Sequence, residues 1–208
     1  MKHYNNETMR LDGFTLLEVL LAIGIFVLVI GSLSAILFNT FKTRNVVFEQ
    51  LNVQNEARKV VQDFVNEIRS ATASSIGAYP LEAATTSSIT FYTNLDADNY
   101  RERVRYFLQG TILKKGIIKP GGNPLSYDSG NEIITNIAHS IVVTSTPLFI
   151  YFDQNYNGTT TSTPLSQPVN ISQVRMVGIQ LTLEKDPNGS PTPFTAQAKG
   201  AIRNLKSN

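Results

Sequence analysis

The N-terminal region of the chain contains an uninterrupted apolar block. From Val19 to Phe38, 20 consecutive residues carry no charge, and only Ser32 and Ser34 among them are polar. A helix of that length rises about 30 Å, which matches the hydrocarbon thickness of a bilayer. Each serine hydroxyl can bond to a carbonyl of its own helix, so neither residue interrupts the block. The pattern predicts a helix that spans a membrane once.

Two other interpretations of this block are open. A buried core helix would need an apolar shell that the remaining residues hardly supply. A secretory signal would use Lys2 and Arg10 as its basic end and the small residues before Ala35 as its cleavage site. The apolar block continues beyond that site, however, and Glu18 stands at its entrance, which favours an uncleaved span.

Beyond the apolar block, the pattern changes to that of an amphipathic helix. Residues 39–73 contain neither proline nor glycine, and Glu67 is among the polar residues assigned to the outer face. The apolar positions recur every three or four residues and so share one face: Ala57, Val60, Val61, Phe64, Val65 and Ile68. Serine, glycine and proline between Ser74 and Pro80 mark the expected end. One helix from Phe14 to about Ala73 is therefore predicted.

After Pro80 the hydrophobic period becomes two, which is typical of half-buried strands. The segments expected to form strands are Ser88–Leu95, Glu102–Gln109, Thr111–Ile117, Pro147–Asp153, Val174–Leu183 and Thr195–Leu205. Residues 131–138 are expected to form a short turn or helix. Together these elements predict an α+β fold. A long N-terminal helix, half membrane-spanning and half amphipathic, packs against a head of four to six antiparallel strands.

The second and third of these strands form a predicted hairpin that turns near Gln109 and Gly110. If Leu108 lies opposite Thr111, the inner face collects Val104, Tyr106, Leu108 and Leu113. The outer face then carries Arg103, Arg105 and Lys114, with Arg101 nearby. This basic face is either the solvated side of a half-buried sheet or a surface that contacts phosphates.

Composition excludes several classes of chemistry. The chain has no cysteine, which rules out disulfides, thiolate zinc sites and cysteine nucleophiles. It has 18 Lys+Arg against 16 Asp+Glu, so its net charge of +2 does not indicate a strongly basic nucleic-acid binder. His3 and His139 are far apart, and no phosphate-binding loop, hydrolase elbow or zinc-protease motif is present. No enzymatic activity, cofactor or metal site is predicted.

One loop resembles part of a calcium-binding sequence. Asp153, Asn155, Asn157 and Gly158 match the first half of an EF-hand loop, but Pro164 stands where a bidentate glutamate is needed. Asparagine and glycine after a strand are also good turn formers, so we interpret the segment as a turn. The formal glycosylation triplets at Asn157, Asn170 and Asn188 are likewise interpreted as loop composition.

The entrance of the apolar block carries a specific motif: Gly13-Phe14-Thr15-Leu16-Leu17-Glu18. It resembles the type IV pilin and pseudopilin superfamily, whose leader ends G-F-T-L-x-E. The resemblance implies that a prepilin peptidase cuts between Gly13 and Phe14 on the cytoplasmic side and then N-methylates Phe14. Thr15, Leu16 and Leu17 would complete the processing motif. A glycine at the cut lets a protease approach the backbone closely.

The resemblance also implies a role for Glu18 and a division of the chain. A carboxylate inside a membrane helix is costly, and the amine of Phe14 on a neighbouring subunit would relieve that cost and set the register of assembly. The alternative is that Glu18 lies near the headgroups and complements the helix N-terminus. The implied parts are a cytoplasmic leader (1–13), a transmembrane segment (14–38), its amphipathic continuation (39–75) and a β-rich head (76–208).

Shorter similarities point to a minor subunit. The spacing V-x-Y-x-L followed by G-x-x-L in the hairpin resembles J-class minor pseudopilins of type II secretion, and the end Ile202-Arg203-Asn204-Leu205 is similar to large minor pilins. The implied location is the inner membrane, with the leader inside and the head outside, and then a filament. The implied partners are the peptidase, other pilins or pseudopilins, the inner-membrane assembly platform and membrane lipid. A DNA-uptake pilin that uses the basic face and an unrelated membrane-anchored β domain are the alternatives.

Overall fold

The computed structural model describes residues 13–96, 98–143, 145–156, 158, 163–185 and 192–205. Helix α1 spans Leu16–Arg69. The chain divides into two compact units, Met1–Val46 and Val47–Asn208, each of which is described by itself. Within the described residues, the second unit adds eight strands in two antiparallel sheets to the end of α1, so the predicted α+β fold is confirmed.

The first part of α1 has the character of a membrane helix. Leu16–Phe38 is long and apolar enough to cross a bilayer, with a mean hydropathy of 2.8. Its two serines bond back to their own helix, because the Ser32 and Ser34 hydroxyls donate to carbonyls four residues earlier, each at 2.9 Å. The expectation that these hydroxyls do not interrupt the apolar surface is confirmed. The segment is a candidate single-pass membrane anchor.

The last part of α1 supplies one wall of the head core. The predicted apolar stripe is buried along its whole length: Ala57, Val60, Val61, Phe64, Val65 and Ile68. The helix ends at Arg69, four residues earlier than predicted. It ends there because Ser70 turns its hydroxyl back to Glu67 O at 2.9 Å, while the backbone N–H of Thr72 donates to Tyr92 in the sheet.

The first sheet is a five-stranded meander in the order β1-β2-β3-β4-β5. Its strands are β1 Leu81–Ala84, β2 Ser88–Thr93, β3 Glu102–Gln109, β4 Ile112–Ile118 and β5 Ile133–Ala138. Strand β1 was not predicted. Residues 131–138 were expected to form a turn or helix; Asn131 does end a short 3-10 turn, Ser129–Asn131, but Ile133–Ala138 form β5 instead. Pairing with β4 fixes β5 as a strand, which its own sequence does not specify.

The second sheet has three strands in the order β6-β7-β8. They are β6 Phe149–Phe152, β7 Met176–Leu183 and β8 Phe194–Ala201. All three lie inside segments predicted as strands or within one residue of them. The prediction of four to six strands was too low, because β1 and β5 were missed.

The β3–β4 hairpin has the predicted faces but a different register. Leu108 pairs with Leu113, not with Thr111, so the strands are shifted by two residues. The loop contains only Gly110 and Thr111, and Gly110 adopts the left-handed φ of 60° that so tight a turn requires. A shift of two residues leaves every side chain on its face. Val104 and Tyr106 are accordingly buried as predicted.

Phe64 joins α1 to both sheets. Its ring is fully buried and lies 6.3 Å from Phe91 and 5.2 Å from Tyr106, both in the first sheet. It lies 5.4 Å from Phe149 in the second sheet. Because the two sheets meet on this one ring, the amphipathic end of α1 belongs to the core of the head.

An ion pair closes the side of this core. Glu67, predicted to face solvent, is half-buried and accepts hydrogen bonds from the Tyr106 hydroxyl at 2.9 Å and from Lys115 Nζ at 2.5 Å. Burial and the adjacent Glu67 carboxylate raise the pKa of the Tyr106 hydroxyl well above its usual range. The prediction for Glu67 was wrong because Lys115 comes from the inner face of β4, which helical periodicity does not reveal.

Candidate functional site

The sequence motif at the start of α1 is an N-terminal helix cap. Thr15 is the last residue before the helix, and its Oγ1 accepts a hydrogen bond from the backbone N–H of Glu18 at 3.3 Å. Its carbonyl accepts from Val19 N at 3.2 Å. Threonine followed three residues later by glutamate is the capping-box pattern. Sequence analysis placed Thr15 only in a processing motif, although this spacing already predicted a cap.

Gly13 lies just outside the helix, and the local structure does not need a glycine there. No atom lies within 4 Å of the position that a Cβ would occupy, and the backbone is not in the left-handed region that favours glycine. The neighbouring Phe14 is 81% exposed. A protease that binds this segment would therefore meet an open backbone with no side chain at residue 13.

Phe14, just before α1, and Glu18, in its first turn, are both exposed. They line an apolar groove with Val19, Ala22, Ile23 and Phe26. Leu16 and Leu17, also in the first turn, are exposed. Within the described part of the chain, the Glu18 carboxylate has no ion-pair partner. The six consecutive motif residues thus lie at the exposed start of α1 and present one carboxylate on an apolar surface.

The basic face of the head is matched by carboxylates. Arg103 makes two hydrogen bonds of 2.7 Å to Glu82, and Arg105 makes bonds of 2.9 and 2.6 Å to Glu132. The Arg103 hydrogen bonds hold the pKa of the Glu82 carboxyl below its ordinary value, and the Tyr92 hydroxyl, which donates to the same carboxylate, adds to this effect.

The carboxylates on the basic face were missed because they come from distant strands. Glu82 lies on β1 and Glu132 lies just before β5, and neither strand was predicted. Two-pronged pairing occupies both guanidinium groups. Two of the four cations of the basic face, Arg103 and Arg105, are therefore held in ion pairs, which disfavours the alternative that this face contacts phosphates.

The loop after β6 is held by its own side chains. The Asp153 carboxylate accepts from the backbone N–H and from the side-chain amide of Asn155, at 2.9 and 2.8 Å. This local turn agrees with the interpretation of the segment as a turn former. Asn157 and Asn188 lie outside the described residues. Asn170 caps a short 3-10 turn, where its side chain accepts from Ser172 N.

A cluster of three acidic residues, which sequence analysis did not single out, lies in the connection between β2 and β3. It contains Asp96, Asp98 and Glu102. Glu102 has the same parity along β3 as Val104 and Tyr106, so the strand pattern places a charge on the buried face. A charged residue at a buried position of a strand was the sequence signal from which this cluster could have been found.

Comparison with known proteins adds no family assignment. No protein-family model matches the chain, and no curated protein sequence matches it significantly. The single N-terminal apolar helix followed by an antiparallel sheet fits a pilin-like architecture. Cleavage after Gly13, methylation of Phe14 and the pairing role of Glu18 stay predictions.

Proposed function

We propose that the chain is a minor pilin or pseudopilin, a structural subunit that a prepilin peptidase processes and that then assembles into a filament. The observation that carries the proposal is the Gly13–Glu18 motif at the entrance of a candidate membrane span. The α+β head, built on the amphipathic end of the same helix, supports it. A head of this size, without a disulfide, favours a minor subunit in a tip or initiation complex.

The proposed mechanism is physical and involves no catalysis by this chain. Hydrolysis of the Gly13–Phe14 bond leaves a carboxylate on the leader and an amine on Phe14, and the peptidase then transfers a methyl group to that amine from a separate methyl donor. A carboxylate at the centre of a membrane helix costs about 2.5–3.5 kcal/mol, and less near an interface. Pairing with the amine of a neighbouring subunit would therefore lower the free energy of the Glu18 carboxylate in the membrane. During assembly, the lipid that contacts the apolar groove around Glu18 is replaced by the helix of a neighbouring subunit.

The mature N-terminus is the decisive test. The chain is co-expressed with a prepilin peptidase, recovered from membranes and examined by mass spectrometry. We expect a first residue of N-methylated Phe14, and we expect Gly13→Val to retain its leader because a branched side chain blocks access to the cut. Gly24→Val is the matched control, since an added Cβ meets nothing within 4 Å at either glycine.

Two alternatives, an unrelated membrane-anchored domain and a secretory signal, give a different N-terminus. A wild-type chain that begins at Met1 would indicate an unprocessed membrane-anchored domain, and one that begins at Ala35 would indicate a secretory signal. Full maturation of Gly13→Val would also contradict the proposal.

Assembly tests Glu18 separately. Glu18→Ala should be processed and inserted, because the membrane helix loses a charge, but it should be depleted from sheared filaments by about tenfold because the pairing is lost. Ser32→Ala is the control, since that hydroxyl bonds only its own helix. Incorporation of Glu18→Ala at the level of the control would refute the pairing role.

A further inference from the structure

Three carboxylates converge in the connection between β2 and β3. Asp96, Asp98 and Glu102 each contribute one oxygen, and these three atoms lie within 4.8 Å of one another. Ca²⁺ binds oxygens at 2.3–2.6 Å, so two oxygens on one ion are at most about 5 Å apart. The three carboxylates are therefore close enough to bind a single ion.

The buried glutamate gives a second, independent indication. Glu102 is only 3% exposed, and its Oε2 accepts a hydrogen bond from Leu95 N at 2.8 Å. Its other oxygen, Oε1, is buried and has no hydrogen-bond partner among the described residues. Buried polar atoms are nearly always satisfied, and a buried carboxylate oxygen without a donor is expensive. A cation that binds the Glu102 carboxylate through Oε1 would satisfy this oxygen.

Lys119 already acts as a partial counter-ion. It follows β4, its side chain is 51% exposed, and its Nζ lies 2.8 Å from Asp96 Oδ2 and 2.5 Å from Asp98 Oδ2. Three carboxylates against one ammonium leave a formal charge of −2, so the cluster with Lys119 in place still attracts a cation. An exposed lysine side chain can move aside at little cost because surface ion pairs are weak.

The loop is shaped before any ion binds. The Asp98 Oδ1 accepts from Tyr100 N at 2.6 Å, so this oxygen fixes the turn while Oδ2 faces Lys119. Arg101 then ties the loop to the rest of the head: its N–H donates to Ser75 Oγ at 2.8 Å, and its carbonyl accepts from the Tyr127 hydroxyl at 2.7 Å. Preorganised ligands lose less entropy on binding an ion.

We propose that the β2–β3 connection is a Ca²⁺ site, with Asp96, Asp98 and Glu102 as ligands and with Lys119 displaced when the ion binds. All three ligands are carboxylate oxygens, which hard cations such as Ca²⁺ prefer. Zinc sites usually contain cysteine or histidine ligands, and this cluster contains neither. Mg²⁺ needs oxygens at 2.0–2.1 Å in a near-ideal octahedron, whereas Ca²⁺ accepts six to eight oxygens at longer distances in a variable geometry. Binding would fix the loop, together with its contacts to Ser75 and Tyr127. This site does not depend on the proposed filament role.

Calorimetric titration of the full chain in detergent micelles tests the site, with CaCl₂ as the probe after chelator treatment. We expect one saturable site with a Kd of about 1 mM or tighter, the range of extracellular calcium modules. Replacing both aspartates, Asp96→Asn and Asp98→Asn, should weaken binding by more than about tenfold, and Glu102→Gln should weaken it as well. Lys119→Gln should bind about fivefold tighter, since a competing charge is removed. Asp153→Asn, in the turn that resembles half an EF-hand, is the matched control and should bind as the wild type does.

Several results would overturn the site. One is the absence of saturable binding by the wild type up to about 10 mM CaCl₂, a range that covers known weak sites. Another is the loss of binding in the control variant Asp153→Asn. Equal affinity for Mg²⁺ would overturn the assignment to calcium, and unchanged affinity in Glu102→Gln would remove Glu102 as a ligand. Lys119→Gln removes no ligand and can be measured even if the other variants do not fold. If it binds no tighter than the wild type, the proposal fails.

Discussion

Phe64→Ala should weaken both sheets of the head at once. The ring is fully buried, and aromatic rings of β2, β3 and β6 surround it at 5.2–6.3 Å. Replacing a buried phenylalanine by alanine costs about 3–5 kcal/mol, through lost burial and the cavity left behind. For a domain of 150–250 residues, each kcal/mol lowers Tm by about 2–4 °C, so a fall of roughly 6–20 °C is expected.

The assay is thermal and urea unfolding of the full chain in detergent micelles, followed by near-ultraviolet circular dichroism of its tyrosines. Phe48→Ala is the matched control, because Phe48 lies on the same helix and is 52% exposed. Hydrogen exchange should show lost protection in both β2–β3 and β6–β7. A destabilisation no larger than that of Phe48→Ala, or lost protection in one sheet only, would refute the role of Phe64 as the junction.

Two further predictions concern packing and pH. Gly200→Ala should cost about 1–3 kcal/mol in urea unfolding, because the new Cβ would lie 2.6 Å from the buried Ile68 Cγ2; Gly178→Ala, whose nearest neighbour would be 3.4 Å away, is the control, and equal effects would contradict the reasoning. Glu82 contributes stability above its ordinary pKa of 4.5 that is lost as the pH falls through its lowered pKa in the folded state, so stability should fall below about pH 4.5. Glu82→Gln should make this fall shallower, and an unchanged slope would contradict the assignment.

The parts of the fold that sequence predicted are those set by local periodicity. The stripe on α1 was found because six apolar residues repeat over more than three turns. The faces of β3 and β4 were found for the same reason, but their register depended on the Gly110 turn, whose geometry the pattern does not encode. Strand β5 was missed because its two adjacent isoleucines, Ile133 and Ile134, break the alternation of apolar and polar residues that is typical of a strand. Both isoleucines are exposed in the structure.

The site residues divide in the same way. The motif from Gly13 to Glu18 is contiguous, so sequence alone brought it together. The ion pairs of Arg103 and Arg105 depend on chain segments that meet only in the folded sheet. The two arginines were identified from the sequence, but the glutamates that pair with them were not.

The location of Phe64 on α1 limits how the protein can be truncated. Buried side chains of the head begin at Val53 on this helix and continue to Ile68. A fragment cut after Arg69 would keep all eight described strands and still lose the wall on which both sheets rest. A fragment meant to keep the fold of the second compact unit should therefore start near Val47, where that unit begins.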